Sequence, residues 1–150
     1  MTELTYEFWF DAAHQFRHMP IGHKYHGLHG HSFRVEIAVR GTPDPQSGFV
    51  VDFAQLESAG ESIRERLDHR FLNEIVGLET PSLEHISRFI WEQLKPRFAG
   101  LTRVAIRRDS HRQGCVYTGG EVIDAVDAAV DAAVDAAGAS DSVLASVLRA

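Results

Sequence analysis

Apolar and polar residues alternate near the start of the chain: Tyr6, Phe8 and Phe10 fall on one face, and Glu7, Trp9 and Asp11 on the other. A period of two over residues 3–11 predicts a β-strand with one buried face. The pattern returns over residues 31–41, where Phe33, Val35, Ile37 and Val39 share a face. Between the two, from His14 to Gly30, Pro20, Gly22 and Gly27 break any regular period, and Gly41 to Gly48 reads as a turn. The period then lengthens. Asp52 stands where a helix N-cap belongs, with Gln55 as its capping-box partner, and Phe53, Leu56, Ile63 and Leu67 keep helical spacing towards His69. A second helix is expected from Thr80-Pro81, with proline at the first helical position. Its buried face is Leu83, Ile86, Phe89, Ile90 and Leu94, and Pro96 stops it. Residues 101–109 and 114–118 read as two further strands. The order strand-strand-helix-helix-strand-strand predicts an α+β domain over residues 1–120.

Residues 121–150 obey a different rule. Val126, Val130 and Val134 recur every four residues, as do Asp127, Asp131 and Asp135. At 3.6 residues per turn such stripes wind slowly around a helix, so an acidic, Ala-rich helical C-terminal extension is expected. It holds six acids against one base, whereas the first 120 residues hold 15 against 14, so nearly all of the net charge of −6 sits in the extension. No basic domain of the kind that binds nucleic acid is present, although a local basic pocket for a phosphorylated small molecule is compatible with this balance. One cysteine cannot form an internal disulfide, which points to a reducing compartment. No apolar run approaches the roughly 20 residues that span a bilayer, and the first residues have no secretory pattern. A cytoplasmic protein without membrane or nucleic-acid partners is expected.

Candidate chemistry concentrates in histidine. Six of the nine, His14, His18, His23, His26, His29 and His31, lie within 18 residues. His29 and His31 flank Gly30, and in an extended chain an i, i+2 pair points both imidazoles to one face. His14 follows the first strand, so three imidazoles converge if the strands are neighbours. Three protein ligands with an open fourth position is the arrangement of catalytic zinc. A His-x-His alone is weak evidence, because histidines also decorate loops, and His18, His23 and His26 lack the strand placement. Asp68-His69 closes the first helix. An aspartate beside a histidine can fix its tautomer for proton transfer, and a histidine there is also favoured by the helix dipole. Cys115 reads as a small buried hydrophobe rather than a nucleophile, since no base stands near it in sequence.

The chain resembles the family of 6-pyruvoyl-tetrahydropterin synthase and 6-carboxy-tetrahydropterin synthase. The matching segments are Phe10-Asp-Ala-Ala-His14, Gly22-His-Lys, Leu28-His-Gly-His-Ser32, Gly48-Phe-Val-Val-Asp-Phe53, Leu67-Asp-His-Arg-Phe-Leu-Asn73, Ile90-Trp91 ahead of Lys95-Pro96, and Gly114-Cys-Val-Tyr117. They run in order from residue 3 to about residue 120 and leave the extension uncovered. The resemblance implies a tunnelling-fold (T-fold) domain whose sheets join in threes into an oligomeric β-barrel, giving a homo-oligomer, trimer or hexamer. It implies zinc on His14, His29 and His31, a proton-transfer pair at Asp68 and His69, and 7,8-dihydroneopterin triphosphate as substrate. A zinc-bound alcohol is acidified and its developing alkoxide stabilised, which suits the family's triphosphate elimination and retro-aldol cleavage.

Two positions depart from the family. Its catalytic cysteine directly follows the Gly-His-Lys lysine, where this chain has Tyr25. A phenol needs a larger pKa shift than a thiol to act as a base, so Tyr25 is expected as an acid, or as a base if its surroundings lower it; His26 is the other local candidate. Six residues before the Gly-Cys cysteine the family carries a glutamate that anchors the pterin ring, and here that position is Asp109, shorter by a methylene. The expected activity is a zinc-dependent lyase of the 6-carboxy or 6-pyruvoyl type with altered base chemistry. The alternatives are a pterin- or purine-binding paralogue without the family reaction, and side-chain aldol cleavage of another dihydropterin.

Overall fold

The computed structural model describes residues 1–120, and the alternating segments form the sheet that organises them. Strands β1 (Thr2–His14) and β2 (His29–Gly41) pair antiparallel from Thr2 opposite Gly41 to His14 opposite His29. Both run further than the alternation indicated. Ala12 and Ala13 carry little pattern of their own, but Ala12 continues the buried face of Phe8 and Phe10, and the ladder stays paired to its last rung. β4 (Leu101–Arg108) pairs with β2, β5 (Gln113–Tyr117) pairs with β4, and a two-residue β3 (Arg70–Phe71) runs parallel to β1. The strand order is β3-β1-β2-β4-β5.

Both helices cover one face of this sheet. Helix α1 (Phe53–Leu67) starts where Asp52 accepts the Ala54 N–H at 2.9 Å. Helix α2 (Leu83–Leu94) starts later than expected, because Ser82 rather than Pro81 makes the boundary: its hydroxyl accepts the His85 N–H at 3.3 Å. Serine is the stronger cap, and Pro81 is left outside the helix with its carbonyl free to accept. Leu56, Ile63 and Leu67 of α1 and Ile86, Ile90 and Leu94 of α2 bury against Phe8, Phe10, Phe33, Val35, Ile37, Val104 and Ile106. The opposite face is charged. Arg34 holds Glu7 and Asp109, and Arg103 holds Glu36 and Glu3. Ion pairs on a water-facing sheet surface add little to stability, so the fold rests on the helix-covered face.

The five-stranded mixed sheet with two helices fits the α+β tunnelling fold. The expected C-terminal helix of residues 121–150 lies outside the described residues. Among the described residues no helix is long and apolar enough to cross a membrane.

Phe33 is fully buried and stacks on Phe10, ring centroids 4.9 Å apart, directly beneath the histidine end of the sheet. Phe33→Ala is expected to lower the unfolding free energy in a urea titration by about 3–5 kcal/mol. A loss below about 1 kcal/mol would contradict close packing at this end.

Candidate active site

The last rung of the β1–β2 ladder places His14 opposite His29, and two positions along β2 His31 stands opposite Ala12. Paired residues of an antiparallel ladder share a face, so all three imidazoles continue the core face beyond Phe10 and Phe33. Ring centroids are 4.5 Å apart for His14–His29, 5.0 Å for His29–His31 and 5.1 Å for His14–His31. One nitrogen from each lies within 4.8 Å of the others. Gly30 lets the strands close here, since a side-chain carbon at that position would stand 3.2 Å from the Ala12 carbonyl oxygen.

Hydrogen bonds fix which nitrogen faces inward. His14 Nδ1 donates to the Pro81 carbonyl at 2.9 Å, and His29 Nδ1 donates to the Gly27 carbonyl at 2.8 Å. A carbonyl only accepts, so each Nδ1 holds a proton, and in the neutral ring Nε2 is then the nitrogen with the lone pair. These two Nε2 atoms are buried without a hydrogen-bond partner. His31 Nε2 accepts from Arg108 Nη1 at 3.1 Å, and a guanidinium only donates, so this Nε2 also carries a lone pair. Three converging imidazole nitrogens, two of them orphaned, are the donor set a zinc ion takes, and the carbonyl-bound Nδ1–H groups are the usual outer support of such ligands.

His14 opens on a cavity of about 240 Å³ whose wall includes Phe16, Tyr25, Glu84, Arg108 and Cys115. Tyr25 stacks on His29 at 5.8 Å between centroids. Hydrogen bonds from Lys24, then Gln113, hold its phenol below the ordinary tyrosine range. His26 is engaged elsewhere, its Nδ1 donating to the Met19 carbonyl at 2.7 Å, and the His23 ring nitrogen accepts the Tyr25 N–H. Both stitch the loop that presents Tyr25. Cys115 faces the core side of β5, its Sγ 3.6 Å from Ser87 Oγ.

Asp68 and His69 touch each other but do not line this cavity. Asp68 caps the end of α1 and His69 follows in the left-handed region, φ +56°. The turn is held by His69 N–H on the Asp11 carbonyl and Asp11 N–H on the Asp68 carboxylate, with His69 Nδ1 3.1 Å from Asp68 Oδ2. The Asp11 N–H and then His69 hold the Asp68 carboxyl below the usual carboxylate range. The His69 side chain is 79% exposed and borders an open groove whose lining includes Asp11, Ala13, Gly30, Ser32 and also His31 of the metal-type triad. Asp109 is also on the outer side, both carboxylate oxygens bound to Arg34 at 2.8 and 3.0 Å. The position that faces the cavity from β4 is Arg108, on the same face as Val104 and Ile106. Sequence reasoning missed Arg108, and also His111, whose ring stands 4.8 Å from that of His31. Counting by two from Ile106 would have found the first; the second follows a turn that carries no periodic signal.

A family model for 6-pyruvoyl tetrahydropterin synthase matches residues 3–120. A 6-carboxy-5,6,7,8-tetrahydropterin synthase from Synechocystis sp. is 38% identical over 94 residues, 59% of this chain and 71% of the relative. A dihydroneopterin monophosphate aldolase from Pyrococcus furiosus is 33% identical over 97 residues, 65% of this chain and 78% of the relative. The solved 6-pyruvoyl tetrahydropterin synthase of Caenorhabditis elegans superposes with a TM-score of 0.71 at 24% identity, covering 79% of this chain and 96% of that one. At that identity the likeness speaks for the fold.

Burial gives the triad a pH dependence. Desolvation first, with neighbouring imidazoles and Arg108 adding repulsion, pushes His14 and His31 down to about 4 from an ordinary 6.5. The unfolded chain therefore takes up protons below 6.5 that the folded chain refuses until about 4, and stability falls as pH drops through that window. Urea titrations of the metal-free protein are expected to show a midpoint that declines from neutral pH to pH 4.5–5. His14→Gln should flatten that decline, and an identical slope in the variant would contradict a buried neutral His14.

Proposed function

The chain belongs to the 6-pyruvoyl tetrahydropterin synthase family, and on that footing we propose that it is a zinc-dependent lyase acting on the phosphorylated side chain of a 7,8-dihydroneopterin. The observation that carries this reading is the convergence of three imidazole lone pairs on one face of the β1–β2 ladder. His14, His29 and His31 would hold the metal, leaving a position open to substrate. When bound there, zinc supplies Lewis acidity, lowering the pKa of a side-chain hydroxyl and stabilising alkoxide charge.

The protein's own groups then handle position and protons. Tyr25, stacked on His29 with a phenol made more acidic by Lys24 and Gln113, stands in for the family thiol as the group that gives or takes a proton at the side-chain carbons. Asp68 holds His69 by Nδ1, leaving Nε2 to exchange the second proton. Since that pair borders the outer groove of its own chain, it serves a cavity completed by a neighbouring copy in a homo-oligomer. Asp109 has its carboxylate committed to Arg34, so no ring-anchoring role is assigned to it.

A second reading has a specific observation behind it. Tyr25 in place of a thiol also suits a chain that binds a pterin or purine without turning it over. The test is zinc-loaded protein incubated with 7,8-dihydroneopterin triphosphate and, separately, the monophosphate. Release of triphosphate, acetaldehyde or a side-chain aldehyde would be followed by chromatography. Turnover is expected with at least one substrate. Tyr25→Phe should lower kcat by about 10²-fold or more while zinc content stays unchanged. Full zinc occupancy and ring binding with no product at any pH would leave the binding reading in its place.

A further inference from the structure

Arg108 carries its charge into the interior without an ion-paired acid among the described residues. It is 9% exposed, and among the described residues no carboxylate lies within ion-pair distance of it. Nη2 donates to Gln113 Oε1 at 2.8 Å, Nη1 donates to His31 Nε2 at 3.1 Å, and Nε is buried with no partner. Glu84, across the cavity, feels this charge, but its hydrogen bond goes to Ser82. Elsewhere in the same sheet, Arg34 and Arg103 each hold two carboxylates. A buried guanidinium without a carboxylate in contact is unfavourable, and a planar fork of donors is best matched by a carboxylate or phosphate. Lys24 adds a second cation beside Tyr25, its ammonium 4.6 Å from the centre of that ring, with the Arg108 guanidinium 5.8 Å from the same centre.

We infer that Arg108 reads an anion: the histidine cavity takes a ligand that delivers a carboxylate or phosphate oxygen to this guanidinium. The choice of ring in the ligand rests on the proposed function, whereas the charge requirement rests on Arg108. If His31 binds a metal through Nε2, that nitrogen can no longer accept from Arg108, which frees Nη1 as well for the ligand. The expected ring anchor, Asp109, would have selected N–H donors; Arg108 selects acceptors.

The test uses three pterins with a common ring: 6-hydroxymethylpterin, 6-carboxypterin and 6-hydroxymethylpterin phosphate. Binding is read by quenching of pterin fluorescence, on the metal-free and on the zinc-loaded chain. In the metal-free chain at least one of the two anionic ligands should bind about tenfold more tightly than the neutral one, the gain of a charge-assisted contact. Whichever anion gains more identifies the source of the charge. Arg108→Gln should erase the gap while leaving the neutral ligand within about twofold of its original affinity. Arg108→Lys, which keeps the charge and loses the fork, should retain part of it, and a urea titration of each variant reports that it folds. Equal binding of all three ligands, a gap that survives Arg108→Gln, or binding by none would each overturn the inference. Absent turnover with the gap intact would overturn the lyase reading alone, and turnover without the gap would overturn only the role of Arg108.

Discussion

The bond from His14 Nδ1 to the Pro81 carbonyl, 2.9 Å long, ties the last residue of β1 to the turn that opens α2. The site depends on it twice over. It holds the proton on Nδ1 and so leaves Nε2 as a lone pair in a place where burial pushes the ring down to about 4 and keeps it neutral. It also spans the two layers of the domain, so the cavity between the end of the sheet and the start of α2 has a fixed wall. The bond is available because Ser82, not Pro81, caps the helix. A residue before the cap has a carbonyl outside the helical ladder, and proline there removes no needed donor.

The sheet then divides the chemistry between its faces. Alternation sends His14, His29, His31, Arg108 and Cys115 to the helix-covered side, and Asp11, Arg34 and Asp109 to the other. Asp68 and His69 sit at the rim of that other side, locked by two backbone contacts with Asp11. Within one chain, Asp68 and His69 stand outside the cavity lined by His14, Tyr25 and Arg108, while His69 shares an open groove with His31. Family membership establishes tetrahydropterin synthase-like function at a coarse level.

Much of this was legible in the sequence because a period of two survives any tertiary context when one face is buried. Phe8, Phe10, Phe33, Val35 and Ile37 announced their strands, and the His29–Gly30–His31 spacing announced a shared face. What failed did so for identifiable reasons. Ala12 and Ala13 are too small to signal a strand, so the ladder's extension to His14 was invisible until β2 was paired with it. The Pro81 boundary lost to a better cap one residue on. Asp109 stands six residues before Cys115, across a turn that includes Arg112 at φ +54°, and its carboxylate meets Arg34 on the outer face. A count of one residue in a strand reverses the face, and counting forward from Ile106 instead puts Arg108 in the cavity. Contacts such as His111 on His31 join segments that no local pattern links.

The central claim is that three neutral imidazoles turn Nε2 lone pairs towards one point. Long-range proton–nitrogen correlation spectra of the ¹⁵N-labelled, metal-free protein at neutral pH test it most directly. His14, His29 and His31 should each show a protonated Nδ1 and an unprotonated Nε2, and one equivalent of zinc should shift all three Nε2 resonances together. A proton on Nε2 of any of the three, or zinc shifting fewer than three, would contradict it.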